Sequence, residues 1–170
     1  MVRLYDKQAD RWDRRRQKRT MDTRWRRQLL ADARGEVLEI AVGAGGNFPF
    51  YDASVRVTAV DISPEMVARA RNAAAACGIT AECMTGDIEE LDFPARAFDT
   101  VVSTLSLCSY TDPESVLARM SRWCKEDGRV LLLEHGRSSV SPLAGLQTIL
   151  DPSSRNPLRH LGKTAKGAAG

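Results

Sequence analysis

Short, unbroken apolar runs alternate along the chain with longer stretches in which apolar residues recur every three or four positions. The first run is Val37-Leu38-Glu39-Ile40-Ala41-Val42, and Gly43, Gly45 and Gly46 follow it directly. Strands covered on both faces read this way, and glycines placed just after one let the backbone turn sharply and come close to a ligand. Four further runs share the character: Val55 to Asp61, residues 80–85, Phe98 to Leu105, and Arg129 to Gly136. Between them lie amphipathic segments. One runs from Pro64 to about Cys77 with Val67, Ala70, Ala74 and Cys77 on one face, Ser63 as its cap and Gly78 as its stop. Another starts at Thr111 or Asp112, places Pro113 and Glu114 in its first turn, packs through Val116, Leu117, Met120 and Trp123, and is expected to stop at Gly128. Ahead of the first strand, Tyr5, Ala9 and Trp12 mark a polar helix over 2–20. Met21, Trp25 and Leu29 mark a second over about 21–33, with Gly35 as its stop. Five strands alternating with helices predict a mostly parallel α/β sheet in three layers.

Length and charge narrow this picture. A chain of 170 residues that is 43% hydrophobic supports one core. No apolar run approaches the roughly 20 residues of a membrane span, and the basic start has no secretory hydrophobic region. Cys77, Cys83, Cys108 and Cys124 have no Cys-x-x-Cys spacing and are expected to pack as small hydrophobes in a reducing compartment, with no metal. Net charge divides sharply: +7 over residues 1–34, −8 over 35–136 and +4 beyond. Arg14-Arg15-Arg16 with Lys18 and Arg19 could touch an anionic surface, but the interleaved Asp10, Asp13 and Asp22 favour a solvated helix face. No nucleic-acid partner is expected.

Candidate chemistry gathers at the carboxyl ends of the strands. A dinucleotide fingerprint needs glycine at the sixth position from Gly43, and Phe48 stands there. Asp61 ends the second strand 18 residues beyond Gly43, close to the spacing of about 20 at which an acid accepts both ribose hydroxyls. Ser63 already provides the next helix with its cap, which frees Asp61 for a ligand. The fourth strand should lie beside the first, so Ser103 to Ser109 should emerge at the crevice where such sheets bind ligands. Glu89, Glu90 and Asp92 read as a solvated loop.

Glu39, Ala41, Gly43 and Gly45 resemble the first motif of class I S-adenosylmethionine (SAM) dependent methyltransferases, an acid then Gly-x-Gly-x-Gly, with Ala41 in place of the first glycine. Tyr5-Asp6-x-x-Ala9-x-x-Trp12-Asp13 resembles the signature ahead of many such enzymes, and Gly86-Asp87-Ile88 resembles their adenine motif. The resemblance implies a Rossmann-like SAM-methyltransferase sheet and a cofactor, SAM, held by Tyr5 from a folded-over lid, by the loop of Glu39, Ala41, Gly43, Gly45 and Asn47, by Asp61, Ile62 and Met66, by Gly86, Asp87 and Ile88, and by Ser103 and Leu105. Asp87 would take the adenine amine and Ile88 lie on the ring. Ubiquinone/menaquinone C-methyltransferases are closest in texture. Microsomal thiol methyltransferases share features resembling Leu107-Cys108-Ser109, Glu134-His135 and Leu150-Asp151-Pro152.

The implied activity is methyl transfer to a small or lipid-like acceptor: a thiol, a quinone-precursor carbon or a hydroxyl. His135, at a strand tip, is the candidate base, its alternative being an ordinary loop histidine. Three segments follow: a helical lid over 1–34, a SAM-binding domain over 35–162 and a tail over 163–170 of Gly/Ala/Lys composition. Leu143 to Leu150 could form one helix, and the closing strand pair usual in the family is missing or shortened. That shortfall supports an alternative, a non-catalytic SAM-binding regulator or assembly partner. A cytoplasmic protein is expected, with mitochondria as the alternative and peripheral membrane contact through the basic N-terminus.

Overall fold

The computed structural model describes residues 22–134 together with Val2, Asp6, Ala9 and Arg14. Helix α1 is Thr23–Leu30, followed by β1 Glu36–Ile40, β2 Arg56–Asp61, α2 Pro64–Cys77, β3 Thr80–Thr85, β4 Phe98–Thr104, α3 Pro113–Trp123 and β5 Cys124–Leu133. Single 3-10 turns cover Phe48–Phe50 and Leu107–Ser109. All five strands pair in parallel in the order β3-β2-β1-β4-β5. The chain leaves β1 towards β2 on one side and later returns to pair β4 on the other, so the winding reverses between β1 and β4.

Alternation along the strands builds both halves of the core. Val37, Val57, Ala59 and Val102 join Leu30 of α1 and Val67, Ala70, Ala73 and Ala74 of α2 on one face. Leu38, Ile40, Val60 and Val101 join Val116, Met120 and Trp123 of α3 on the other. Successive strand side chains point to opposite faces, so cover on both sides demands apolar residues at nearly every position, the origin of the unbroken runs. Helix α2 starts and stops as its sequence predicts. Ser63 Oγ accepts from Met66 N, Pro64 occupies the first turn, and Gly78 closes the helix at φ +68°.

Three expectations are corrected. Trp25 does not face the core; it is 63% exposed, and the inward stripe of α1 is Arg26, Leu29 and Leu30, one position round the helix. Met21 and Trp12 lie outside the described residues. Gly35 does not stop α1, which ends at Leu30. It sits at φ +63° at the mouth of β1, where a Cβ would come within 2.4 Å of Asp99 Oδ2, and that same oxygen accepts from Glu36 N at 2.9 Å. Gly128 does not stop α3 either. The helix gives way at Cys124 to extended backbone, and residues 125–128 bulge from the ladder between the pairs Phe98–Cys124 and Thr100–Arg129. A Cβ on Gly128 would meet Cys124 Sγ at 2.6 Å, so the bulge needs glycine there. Of the cysteines, Cys83 and Cys124 are buried and Cys77 packs partly against the core, but Cys108 is exposed. The readings of residues 135–170 lie outside the described residues.

Candidate functional site

A cavity of about 220 Å³ opens at the carboxyl ends of β1, β2 and β4. It sits where the winding reverses, the place at which open α/β sheets receive their ligands. Ala41 and Gly43 form its floor, Asp61, Ile62 and Met66 one wall, Gly86, Asp87 and Ile88 the next, and Leu105 lies across from them. Glu39, Gly45, Asn47 and Ser103 are not among the lining residues, and Tyr5 and His135 lie outside the described residues.

The floor turns on three left-handed residues, Ala41 at φ +50°, Gly43 at +55° and Gly45 at +78°. A side chain at Ala41 strains this conformation by roughly 1–2 kcal/mol, which explains why glycine suits that place. The two glycines then part company. A Cβ on Gly43 would meet nothing within 4 Å, so the missing side chain leaves ligand space. A Cβ on Gly45 would strike the Phe48 ring at 2.6 Å and Ala73 Cβ at 2.8 Å. Gly45 therefore lets the loop press onto α2 and stands behind the floor.

Asp61 is 8% exposed and already serves the backbone: Oδ2 accepts from Gly43 N at 2.8 Å and Oδ1 from Ser63 N at 3.0 Å. Burial raises its pKa, opposed by these hydrogen bonds. An ionised carboxylate has about four acceptor positions, so lone pairs remain for a ligand's hydroxyls. Ser63 also donates to Asp6, and Ala9 packs against Ala44 and Met66, so described positions of the N-terminal signature reach the rim of the cavity.

Beneath the floor, Glu39 is 1% exposed. Its Oε1 accepts from Asn47 Nδ2 at 2.9 Å and its Oε2 from the Tyr51 hydroxyl at 2.8 Å. Burial pushes its carboxyl up from 4.5 to about 7, with the Tyr51 hydrogen bond and the Arg26 charge working the other way. Asn47 Oδ1 in turn accepts from Arg26 Nη1 at 2.6 Å. Across the crevice, Glu134 Oε1 accepts from Ser103 Oγ at 2.9 Å, Ser106 N at 3.2 Å and Leu107 N at 3.3 Å, clamping the exit of β4.

Several participants escaped the sequence reading. Arg26 and Tyr110 line the cavity beside Thr104, which belongs to the Ser103–Ser109 stretch expected there, and burial holds the Tyr110 hydroxyl well above its ordinary pKa. Asp92 is exposed in a loop as expected, whereas Glu89 is half-buried, and both carboxylates hold other elements. The Glu89 carboxylate accepts from Thr111 N and Asp112 N at the start of α3, and Asp92 accepts from Trp123 Nε1 at 3.0 Å. An acid three residues after Gly86, followed across a strand by a helix start at Thr111, was the available signal for Glu89.

A parallel 3-2-1-4-5 sheet with its cavity at the reversal defines a Rossmann-like fold with the crevice where such sheets bind ligands. Residues 38–132 match the methyltransferase domain family model. Among relatives, the chain is 39% identical to phosphatidylethanolamine N-methyltransferase of Cereibacter sphaeroides over 118 residues, covering 68% of this chain and 58% of that protein. It is 30% identical to demethylmenaquinone methyltransferase of Renibacterium salmoninarum over 149 residues, covering 79% of this chain and 61% of that one. The solved S-adenosylmethionine dependent methyltransferase of Mesorhizobium loti superposes with a TM-score of 0.56 at 23% identity, over 69% of this chain and 55% of that one, and shares the fold. The chain belongs to the methyltransferase domain family. It spans about three fifths of the length of these two sequence relatives.

Proposed function

We propose that this chain binds SAM in the cavity at the β1/β4 reversal and transfers its methyl group to a lipid-like or quinone-precursor acceptor. One observation supports the cofactor reading above the others. Gly43 faces open space with no Cβ, between a backbone turn and the buried acid Asp61, a cradle shaped for a ribose against the main chain. Bound SAM would supply an electrophilic methyl on a sulfonium. The residues do the rest by placement. Asp61 accepts from ribose hydroxyls, Asp87 from the adenine amine, and Ile88 covers the ring. Leu105, with the Ser106 loop behind it, walls the side where the acceptor must approach in line and keeps water out. His135, which follows Glu134 in sequence, is our candidate proton acceptor where the acceptor atom is a carbon, thiol or hydroxyl. The relatives' names motivate the acceptor classes.

No helix among the described residues is long and apolar enough to cross a membrane. Methyl-labelled SAM offered with phosphatidylethanolamine vesicles, a demethylated quinol and small thiols tests the function. Label should move to one class, and Asp61→Ala should weaken SAM binding by at least about tenfold while leaving the chain folded. A folded Asp61→Ala chain with unchanged SAM affinity sinks the ribose assignment. Bound SAM with no label transferred to any class favours the non-catalytic alternative.

A further inference from the structure

A file of side-chain hydroxyls leads from the cavity to an acid behind its β4 wall. Ser106 and Tyr110 line the cavity, and the Tyr110 hydroxyl hydrogen-bonds the Ser106 side chain. Ser106 Oγ stands 2.7 Å from Ser103 Oγ, and Ser103 Oγ donates to Glu134 Oε1 at 2.9 Å. Both serines are buried, at 5% and 0% exposed, so the middle of the file is closed to bulk water.

The acid fixes the direction in which the file points. Each hydroxyl has one proton to give and two lone pairs to receive. The Ser103 proton is committed to the carboxylate, so Ser106 donates to Ser103 and Tyr110 in turn donates to Ser106. The Tyr110 oxygen is left with lone pairs for whatever occupies the cavity. At the far end, the bonds that Glu134 accepts from Ser103 Oγ, Ser106 N and Leu107 N all fall on Oε1, and among the described residues none falls on Oε2.

We propose that this file carries away the proton that the methyl acceptor sheds, with Tyr110 touching the acceptor and Glu134 taking the proton. The inference rests on the methyl-transfer reading above and gives it a proton route independent of His135. As the acceptor atom bonds to the methyl carbon, the carbon–sulfur bond breaks with its electron pair left on sulfur, and the acceptor's hydrogen passes as a proton to the Tyr110 oxygen. The Tyr110 proton moves to Ser106, that of Ser106 to Ser103, and that of Ser103 to Glu134. Every hydroxyl ends neutral and one carboxylate ends protonated. Burial, reinforced by the charges of Asp61, Glu134 and Asp87, keeps the phenol from ionising against the pull of the Ser106 bond, so Tyr110 relays a proton without storing charge. Tyr110 is the catalytic residue of the file, and Ser106, Ser103 and Glu134 act through it.

The order of donors can be read in the free chain, without cofactor. NMR of the buried hydroxyl protons should place the Ser103 proton towards Glu134 and the Tyr110 proton towards Ser106, and a Tyr110 proton aimed elsewhere overturns the direction. Glu134→Gln then separates relay from scaffold, because its amide oxygen can accept the same three bonds while the side chain takes up no proton. With methyl-labelled SAM and whichever of phosphatidylethanolamine vesicles, a demethylated quinol or small thiols takes the label, Glu134→Gln and Tyr110→Phe should each lower kcat at least about tenfold. SAM affinity should stay within about threefold, and amide exchange at Ser106 and Leu107 should be unchanged in Glu134→Gln. The wild-type single-turnover rate should curve with deuterium fraction, since several protons move together. Variants that transfer label at the wild-type rate, or a straight isotope plot, overturn the file alone and leave His135 as the base. A chain that binds SAM and labels none of the three overturns the methyl-transfer reading and the file with it.

Discussion

The two strands that flank the reversal leave the sheet in the same strained way and are held by different means. β1 exits through Ala41 at φ +50° and β4 through Leu105 at φ +58°, non-glycine residues in the left-handed region on opposite sides of one cavity. Backbone strain of this kind concentrates at ligand sites and persists only where the surroundings over-determine it. After β1 the determination is local and vertical: glycines at 43 and 45, Asp61 on the Gly43 amide, and Glu39 below. After β4 it is remote. Glu134, some thirty residues on, gathers Ser103, Ser106 and Leu107 onto one carboxylate oxygen. A loop shaped by its own glycines can be read from sequence, whereas one shaped by a distant acid cannot.

The largest expected effect breaks the first exit. Gly45→Ala places a Cβ 2.6 Å from the Phe48 ring at φ +78° and should cost about 3–4 kcal/mol in denaturant unfolding, combining overpacking with a left-handed penalty. A loss below about 1 kcal/mol would show that the loop yields easily. Next comes the acid under the floor. The Glu39 carboxyl stands at about 7 in the folded chain against 4.5 ordinarily, so the folded state holds a proton that the unfolded state has released. Its contribution is complete below pH 4.5 and is lost as pH rises to 7. Stability should therefore fall across that window by up to roughly 3 kcal/mol from this group, and Glu39→Gln should flatten the slope. Identical pH profiles of wild type and variant would contradict the assignment.

The second exit should give way more gently. Glu134→Ala leaves a hydroxyl and two amides without their shared acceptor and should cost about 2 kcal/mol, with faster amide exchange at Ser106 and Leu107. Exchange unchanged there would mean that the loop holds itself. The smallest effect sharpens the symmetry. Ala41→Gly and Leu105→Gly each relieve left-handed strain, and Ala41→Gly should stabilise by about 0.5–1 kcal/mol net of backbone entropy. Leu105→Gly gains less, because it also removes an apolar wall of the cavity.

Much of this architecture was legible because it is encoded by neighbours. Ser63-Pro64 and Gly78 bracket α2, and the unbroken runs at 37–42 and 98–105 announce strands covered on both faces. Asp61 at a strand end marked the cavity wall. What escaped depends on partners far along the chain. Trp25 continues a four-residue repeat, yet the helix turns Arg26 inward because Asn47 and Thr104, distant in sequence, offer it acceptors. Glu89 looked like one of three solvated acids until the start of α3 presented it with two amides. Gly45 passed as a ligand glycine because its spacing from Gly43 says nothing about Phe48 and Ala73 closing on it from behind.

Calorimetric titration of the purified chain with SAM, S-adenosylhomocysteine and NAD in parallel tests the central claim most directly. Saturable binding of the first two and none of NAD is the predicted result. Binding of NAD in their place, or of none of the three by a folded chain, would contradict the assignment of this cavity to SAM.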